Sequence, residues 1–242
     1  MGGGKMTEEI KKPLILDLCG GTGSWSEPYK KAGYEILNIT LPKYNVNDED
    51  VQEMCIKSNP YGILAAPPCT EFSWARTRAI APREMDYGMK TVISCLKIIW
   101  GCQYKRQSDQ KKTPPIKFWA LENPYGNLLW FLGRPPFIFQ PYEFGDFYSK
   151  KTCLWGYFNL PLKKETEKVI RKYEKFDLLK MDDLKEIRNI SDLVWKDPKN
   201  RQELRSITPK NFANAFFEAN SDEDFNYKNK IKNLKEDGSK WW

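Results

Sequence analysis

Two short segments of this chain carry residue types able to do covalent chemistry: Pro67-Pro68-Cys69 and Glu122-Asn123-Pro124. Cys69 is a nucleophile, and Glu122 is a carboxyl that can hold or hand over a proton. Each follows an apolar run that reads as a buried strand, Tyr61 to Ala65 before the first and Ile116 to Leu121 before the second. The two prolines fix φ and lack an N–H, so they exclude helix and ladder pairing just before the cysteine. Cys69 is thereby presented at a strand's C-terminal edge, where open α/β sheets place ligands. Alone, Cys69 reads as a half-buried structural cysteine and Glu122 as a solvated strand-end residue. A thiol and a carboxylate on two strand ends, behind a glycine turn on a third, point instead to one pocket.

The chain of 242 residues contains no histidine. That removes Ser-His and Cys-His nucleophile pairs, histidine general bases and nearly all ordinary catalytic zinc sites, so no metal is expected. Chemistry is left to Cys, Asp or Glu, Lys, Tyr or a cofactor. The six cysteines (19, 55, 69, 95, 102 and 153) form no CxxC pair, which suits reduced thiols in a cytoplasmic compartment. A net charge of +7 fits a polyanionic partner. No apolar run approaches the roughly 18 residues that span a bilayer, and no membrane partner is expected.

The third strand end is the first in the chain. Pro13 to Cys19 is an apolar run, and Gly20-Gly21-Thr22-Gly23 turns it into a helix over Ser24–Gly33. Ser24 or Ser26 serves as N-cap, Pro28 sits in the first turn and Gly33 ends it. The glycines let backbone approach a ligand closely, with free N–H groups facing it. The phosphate-loop spacing with its lysine is missing, which argues against a nucleoside triphosphate. Tyr34 to Ile39 predicts a second strand and Asp48 to Lys57 a helix. Met85 to Gln103 predicts a long helix with Met89, Val92, Ile93, Leu96, Ile99 and Trp100 on its apolar face. Lys105 to Pro115 reads as a surface loop and Leu128 to Leu132 as a short helix. Phe137 to Gln140 and Thr152 to Phe158 read as a hairpin. Strands alternating with helices argue for parallel βαβ units. Residues 1–12 are expected to be a flexible leader and 13–162 one catalytic domain. A charged insertion follows over 163–204, and a capped helix over 205–221 returns to that domain. The polar tail, 222–242, is expected to fray.

In this order, the motifs resemble the AdoMet-dependent DNA cytosine-C5 methyltransferases, in a compact form of the kind found in phages. The family's first motif matches Asp17 to Trp25, its Pro-Cys motif Pro68-Cys69 and its Glu-Asn motif Glu122-Asn123. Its C-terminal helix signature matches Arg205 to Asn220, so the likeness frames about residues 13–220. The resemblance implies a mostly parallel, Rossmann-like class I methyltransferase sheet flanked by helices, with a small C-terminal recognition insertion. It implies S-adenosyl-L-methionine as cofactor, held by Asp17, Cys19, Gly20, Gly21, Gly23, Trp25, Thr40, Pro67, Asn214 and Ala215. Phe216 and Phe217 are read as core. It also implies methyl transfer to C5 of a cytosine flipped out of double-stranded DNA, through a covalent bond from Cys69 to C6. Glu122 and Asn123 act on the base, with Lys151 as a cation toward it. Ser73, Arg76, Arg78 and Arg83 face the nucleic acid. A monomer in the cytoplasm of a bacterium or phage-infected host, tied to restriction-modification, completes that expectation.

The chain also departs from the family's pattern. Where a carboxylate usually meets the ribose hydroxyls, the second strand runs into Thr40-Leu41-Pro42. Where an arginine run usually faces the cytosine, the chain reads Lys150-Lys151-Thr152-Cys153, and an ammonium does not reproduce a guanidinium fork. The recognition insertion is short, with Lys163, Lys164, Lys168, Arg171, Lys172 and Lys175 suited to phosphates and not to base edges. RNA, single strands or a free nucleotide are alternative substrates, and a catalytically silent nucleic-acid-binding homologue is the alternative of another class.

Overall fold

The run after Pro13 forms strand β1 (Leu14–Leu18), and its last four residues, Asp17 among them, are buried. Continuous burial of this kind belongs to a central strand covered on both faces. The computed structural model describes residues 11–74, 80–108, 116–146, 148–164, 179–180 and 206–236. After β1 come α1 (Glu27–Lys31), β2 (Glu35–Ile39), α2 (Glu49–Lys57), β3 (Gly62–Ala65) and α3 (Met85–Ser108). Then follow β4 (Phe118–Pro124), α4 (Leu129–Leu132), β5 (Phe137–Phe139) and a 3-10 turn, Pro141–Phe144. The last elements are β6 (Tyr148–Ser149), β7 (Thr152–Tyr157), β8 (Leu179–Lys180), α5 (Lys210–Asn220) and α6 (Glu223–Glu236).

Six strands make one sheet in the order β2-β1-β3-β4-β7-β5. β1 pairs in parallel with β2 and β3, and β3 with β4. β7 runs antiparallel to both β4 and β5. This is a Rossmann-like α/β sheet flanked by helices. The chain leaves β1 outward to β2, then crosses back to lay β3 on β1's other side. The carboxyl ends of β1 and β3 therefore flank the switch point, where such sheets form a crevice.

Side chains alternate between two packed layers. Leu16, Leu18, Ile63, Ala65 and Leu121 face a layer with Cys55 of α2 and Val92, Cys95 and Ile98 of α3. Ile15, Leu64, Phe118 and Ala120 face the other, against Tyr29 of α1 and Phe212 and Phe216 of α5. The second layer is largely aromatic, with Phe139 stacked on Phe212 at 3.9 Å between ring centroids.

Four sequence expectations shift. The buried face of α3 holds Val92, Cys95, Ile98, Ile99 and Cys102, while Ile93 and Trp100 are exposed. Cys102 Sγ donates to the Cys55 carbonyl at 3.8 Å, so the thiol-bearing side of α3 is the one turned toward α2. β4 runs on to Pro124, which places Glu122 and Asn123 inside the strand and not beyond it. The predicted hairpin strands do pair, but the 3-10 turn and β6 lie between them. Residues 223–236 form α6 where fraying was expected. Phe225 is buried there, Asn229 Nδ2 donates to the Ala32 carbonyl at 2.8 Å, and the Asp222 amide donates to the Tyr34 hydroxyl at 2.6 Å. Of the 163–204 insertion, only residues 163–164 and β8 are described, the latter paired in parallel with β6.

Candidate active site

At the end of β1 the backbone curls tightly. Cys19, Gly21 and Gly23 all have positive φ, at 57°, 52° and 74°. The Cys19 amide donates to the Ile39 carbonyl at 2.8 Å, and the Gly23 amide closes the turn onto the Gly20 carbonyl at 2.8 Å. Asp17 lies directly beneath: a Cβ added at Gly20 would stand 2.4 Å from its carboxyl carbon. Only glycine lets the turn rest on that carboxylate. The Ser26 hydroxyl donates to Asp17 Oδ2 at 2.5 Å, yet full burial pushes the carboxyl up to about 6. Asp17 Oδ1 is buried with no hydrogen-bond partner among the described residues. Asn38 of β2 donates to the Gly21 carbonyl at 3.2 Å, and its own Oδ1 is likewise orphaned.

The second part of the site joins β3 to β4. Asn123 is fully buried and donates from Nδ2 to the Pro67 carbonyl at 3.0 Å. The strand carrying Glu122 is thus tied to the loop carrying Cys69. Beyond Cys69 the loop folds back, and its carbonyl accepts from the Phe72 amide at 3.0 Å and the Ser73 amide at 2.8 Å. Phe72 is buried, and its carbonyl accepts from the Asn127 amide at 2.8 Å. Ser73 also bridges Gly126, where a Cβ would stand 2.3 Å from the Phe72 carbonyl oxygen. Arg83 donates to the carbonyls of Glu71 at 2.6 Å and Ser73 at 2.8 Å, and the Glu84 amide donates to Glu71 Oε2 at 2.9 Å. The loop carrying Cys69 is fastened along both sides.

Glu122 faces a cation. Lys150 Nζ lies 3.5 Å from Glu122 Oε1, with both side chains mostly buried. Lys151, the cation expected to face the base, sets its ammonium 3.8 Å from the centre of the Tyr125 ring. Strand register explains the exchange. Glu122 pairs with Leu154, so alternation carried back along β7 puts position 150 on the face of Glu122 and 151 on the other.

Other expected site residues sort in the same way. Trp25 is buried in the aromatic layer between Phe212 and Phe216, and Ala215 is buried with it. Trp25 lies in the turn ahead of α1, which begins at Glu27 and not at Ser24 as expected, while Ala215 lies on α5; apolar packing holds both. Asn214, one residue back on α5, is half-exposed; the Thr40 carbonyl accepts from the Tyr44 amide at 3.0 Å. Arg83 is committed to loop carbonyls, not held out for phosphate. Arg76 and Arg78 lie outside the described residues.

With that geometry in place, comparison with known proteins adds little. No family model matches the chain, and no curated protein does. Among solved structures it is similar to the Entamoeba histolytica methyltransferase EhMeth, at 11% identity and a TM-score of 0.38. That alignment covers 64% of this chain and 57% of the other.

Sequence reading missed three residues of the region. Lys150 is hidden by its lysine neighbour, because only register separates them. Asn127 gives no sign in the sequence of holding the loop. Asp146 is fully buried, accepts from Asn211 Nδ2 at 3.2 Å, and is pushed up to about 7 by burial. Its link to α5 is visible only once the chain is folded.

Proposed function

We propose that this chain transfers a methyl group from S-adenosyl-L-methionine to C5 of cytosine in DNA. The observation that carries this reading is the Asn123–Pro67 hydrogen bond, which joins the thiol-bearing loop to the carboxylate-bearing strand beside a glycine turn. The turn suits the cofactor. Asp17 Oδ1 and Asn38 Oδ1 are two buried acceptors without donors among the described residues, and S-adenosyl-L-methionine carries an amine and ribose hydroxyls. When bound, the cofactor supplies an electrophilic methyl.

The chain's own residues do the rest. Cys69 adds as a thiolate to C6, which makes C5 nucleophilic. Glu122, held by Lys150, hydrogen-bonds the ring nitrogen and amine so that negative charge does not build on the base. After C5 has gained the methyl, loss of the C5 proton to a base restores the double bond and expels Cys69. The tied loop and strand keep the thiol and carboxylate in one fixed relation through these steps, which is where positioning contributes to rate.

A 5-fluorocytosine oligonucleotide tests this reading, because fluorine at C5 cannot leave as a proton. With S-adenosyl-L-methionine, the protein should form an adduct that survives denaturation, and Cys69→Ser should abolish it. Duplex DNA, single-stranded DNA and RNA versions identify the substrate. No adduct on any of them overturns the reading.

A further inference from the structure

Five residues after Cys69, Trp74 stands 49% exposed although its position is fixed. Its indole N–H donates to Asn127 Oδ1 at 2.6 Å. Its ring meets Tyr125 edge to face, with centroids 5.2 Å apart and planes at 82°. Lys151 sets its ammonium over that same Tyr125 ring and keeps its side chain in solvent. The backbone beneath is held by the Ser73–Gly126 bridge and by Arg83.

An exposed indole whose only donor is already taken has a π face left to offer and no hydrogen bond. A core residue would be covered, and a free surface tryptophan would not be locked in one orientation. Rigid aromatic faces beside mobile cations are the two components with which proteins hold single-stranded nucleic acid. Bases stack on the ring whatever their sequence, and the ammonium meets the backbone. The chain's +7 charge is complementary to that ligand.

We infer that Trp74 is a stacking platform for a nucleobase next to the one presented to Cys69, with Lys151 meeting the phosphate of the same strand. This inference rests on the proposed nucleic-acid substrate for the direction in which the strand runs. It assigns Lys151 to strand binding and leaves Lys150 with Glu122. It also gives the short recognition region a sequence-tolerant way to hold its substrate.

Binding of a fluorescently labelled oligo(dT) tests it, since that strand contains no cytosine and no methylation can intervene. Trp74→Ala should weaken binding by about 5- to 100-fold, the range of one lost base stack. Trp74→Phe, which keeps a π face, should bind within about threefold of the unmodified protein if stacking is the cause. Lys151→Ala should reduce the salt slope by about 0.7, one phosphate contact on a single strand. The part of tryptophan fluorescence that Trp74→Phe removes should be quenched by the strand. No measurable binding by the unmodified protein, unchanged binding by Trp74→Ala, or failure of Trp74→Phe to restore it each overturns the inference. The 5-fluorocytosine adduct separates it from the enzymatic reading. An adduct with unchanged Trp74→Ala binding sinks only the platform, and lost binding without any adduct sinks only the methyl transfer.

Discussion

The two ends of the crevice are rigid for different reasons. At the end of β1, conformation is set by backbone sterics: three left-handed residues curl over a buried carboxylate with no room for a Cβ at Gly20. At the ends of β3 and β4, conformation is set by side chains and amides donating to loop carbonyls: Asn123 to Pro67, Asn127 to Phe72, and Arg83 to Glu71 and Ser73. The first kind of order fails when volume is added. The second can be loosened one bond at a time. On the proposed reading, a cofactor cradle and a substrate loop on one sheet edge can therefore be disturbed separately.

Gly126→Ala should expose that separation most sharply, because its Cβ would meet the Phe72 carbonyl and push the loop from β4. Misplacement on the ångström scale costs about 100-fold in rate. Adduct formation should fall by that much, while calorimetric affinity for S-adenosyl-L-methionine stays within about twofold. Gly20→Ala should do the reverse. Overpacking against Asp17 should lower stability by about 2 kcal/mol, read as a urea midpoint, and weaken cofactor binding by at least about tenfold. If both variants lose both activities in parallel, the two ends are one mechanical unit. Arg83→Lys sharpens the comparison at smaller scale, since one ammonium cannot bridge two carbonyls as the guanidinium does. Losing about one charged hydrogen bond, roughly 1.5 kcal/mol, should slow the adduct by about tenfold without touching cofactor affinity.

The smallest effect on adduct formation concerns the buried carboxylates, whose signature lies in stability. Asp17 and Asp146 are raised by burial from 3.8 to about 6 and about 7. The folded chain then holds these protons more tightly than the unfolded chain does. Their contribution favours folding below about pH 4, is lost as pH rises through 6 and 7, and is level above. Asp146→Asn should flatten the upper part of that fall, seen in urea midpoints between pH 4 and 8, and leave the cofactor end unchanged.

Much of this edge was legible in the sequence, because it is written in local chemistry. Glycines after an apolar run, and prolines before Cys69, dictate backbone shape without help from distant residues. The α/β alternation is legible for the same reason. What stayed hidden depends on register and long-range pairing. Lys150 and Lys151 are chemically equivalent until β7 is laid against β4. Trp25 is an aromatic beside a glycine turn until α5 brings Phe212 and Phe216 to it. The buried face of α3 is hard to read because Ile93 and Trp100 are larger apolar residues than Cys95 and Cys102, although small apolar side chains suit a close helix contact. Polar α6 shows no strong apolar stripe; buried Phe225, the Asn229 bond to Ala32 and the bond from Asp222 just before it to Tyr34 hold it in place.

Those bonds bear on how the protein is made. The Ala32 carbonyl accepts from Asn229, 197 residues downstream, and the Tyr34 hydroxyl accepts from the Asp222 amide, 188 residues downstream. During synthesis, the first helix and second strand can pair with β1 while their outer groups still face water. The aromatic side of the sheet, Tyr29 and Tyr34 included, stays uncovered until α5 and α6 leave the ribosome. The elements that would hold the cofactor are thus made before the helices that cover their aromatic side.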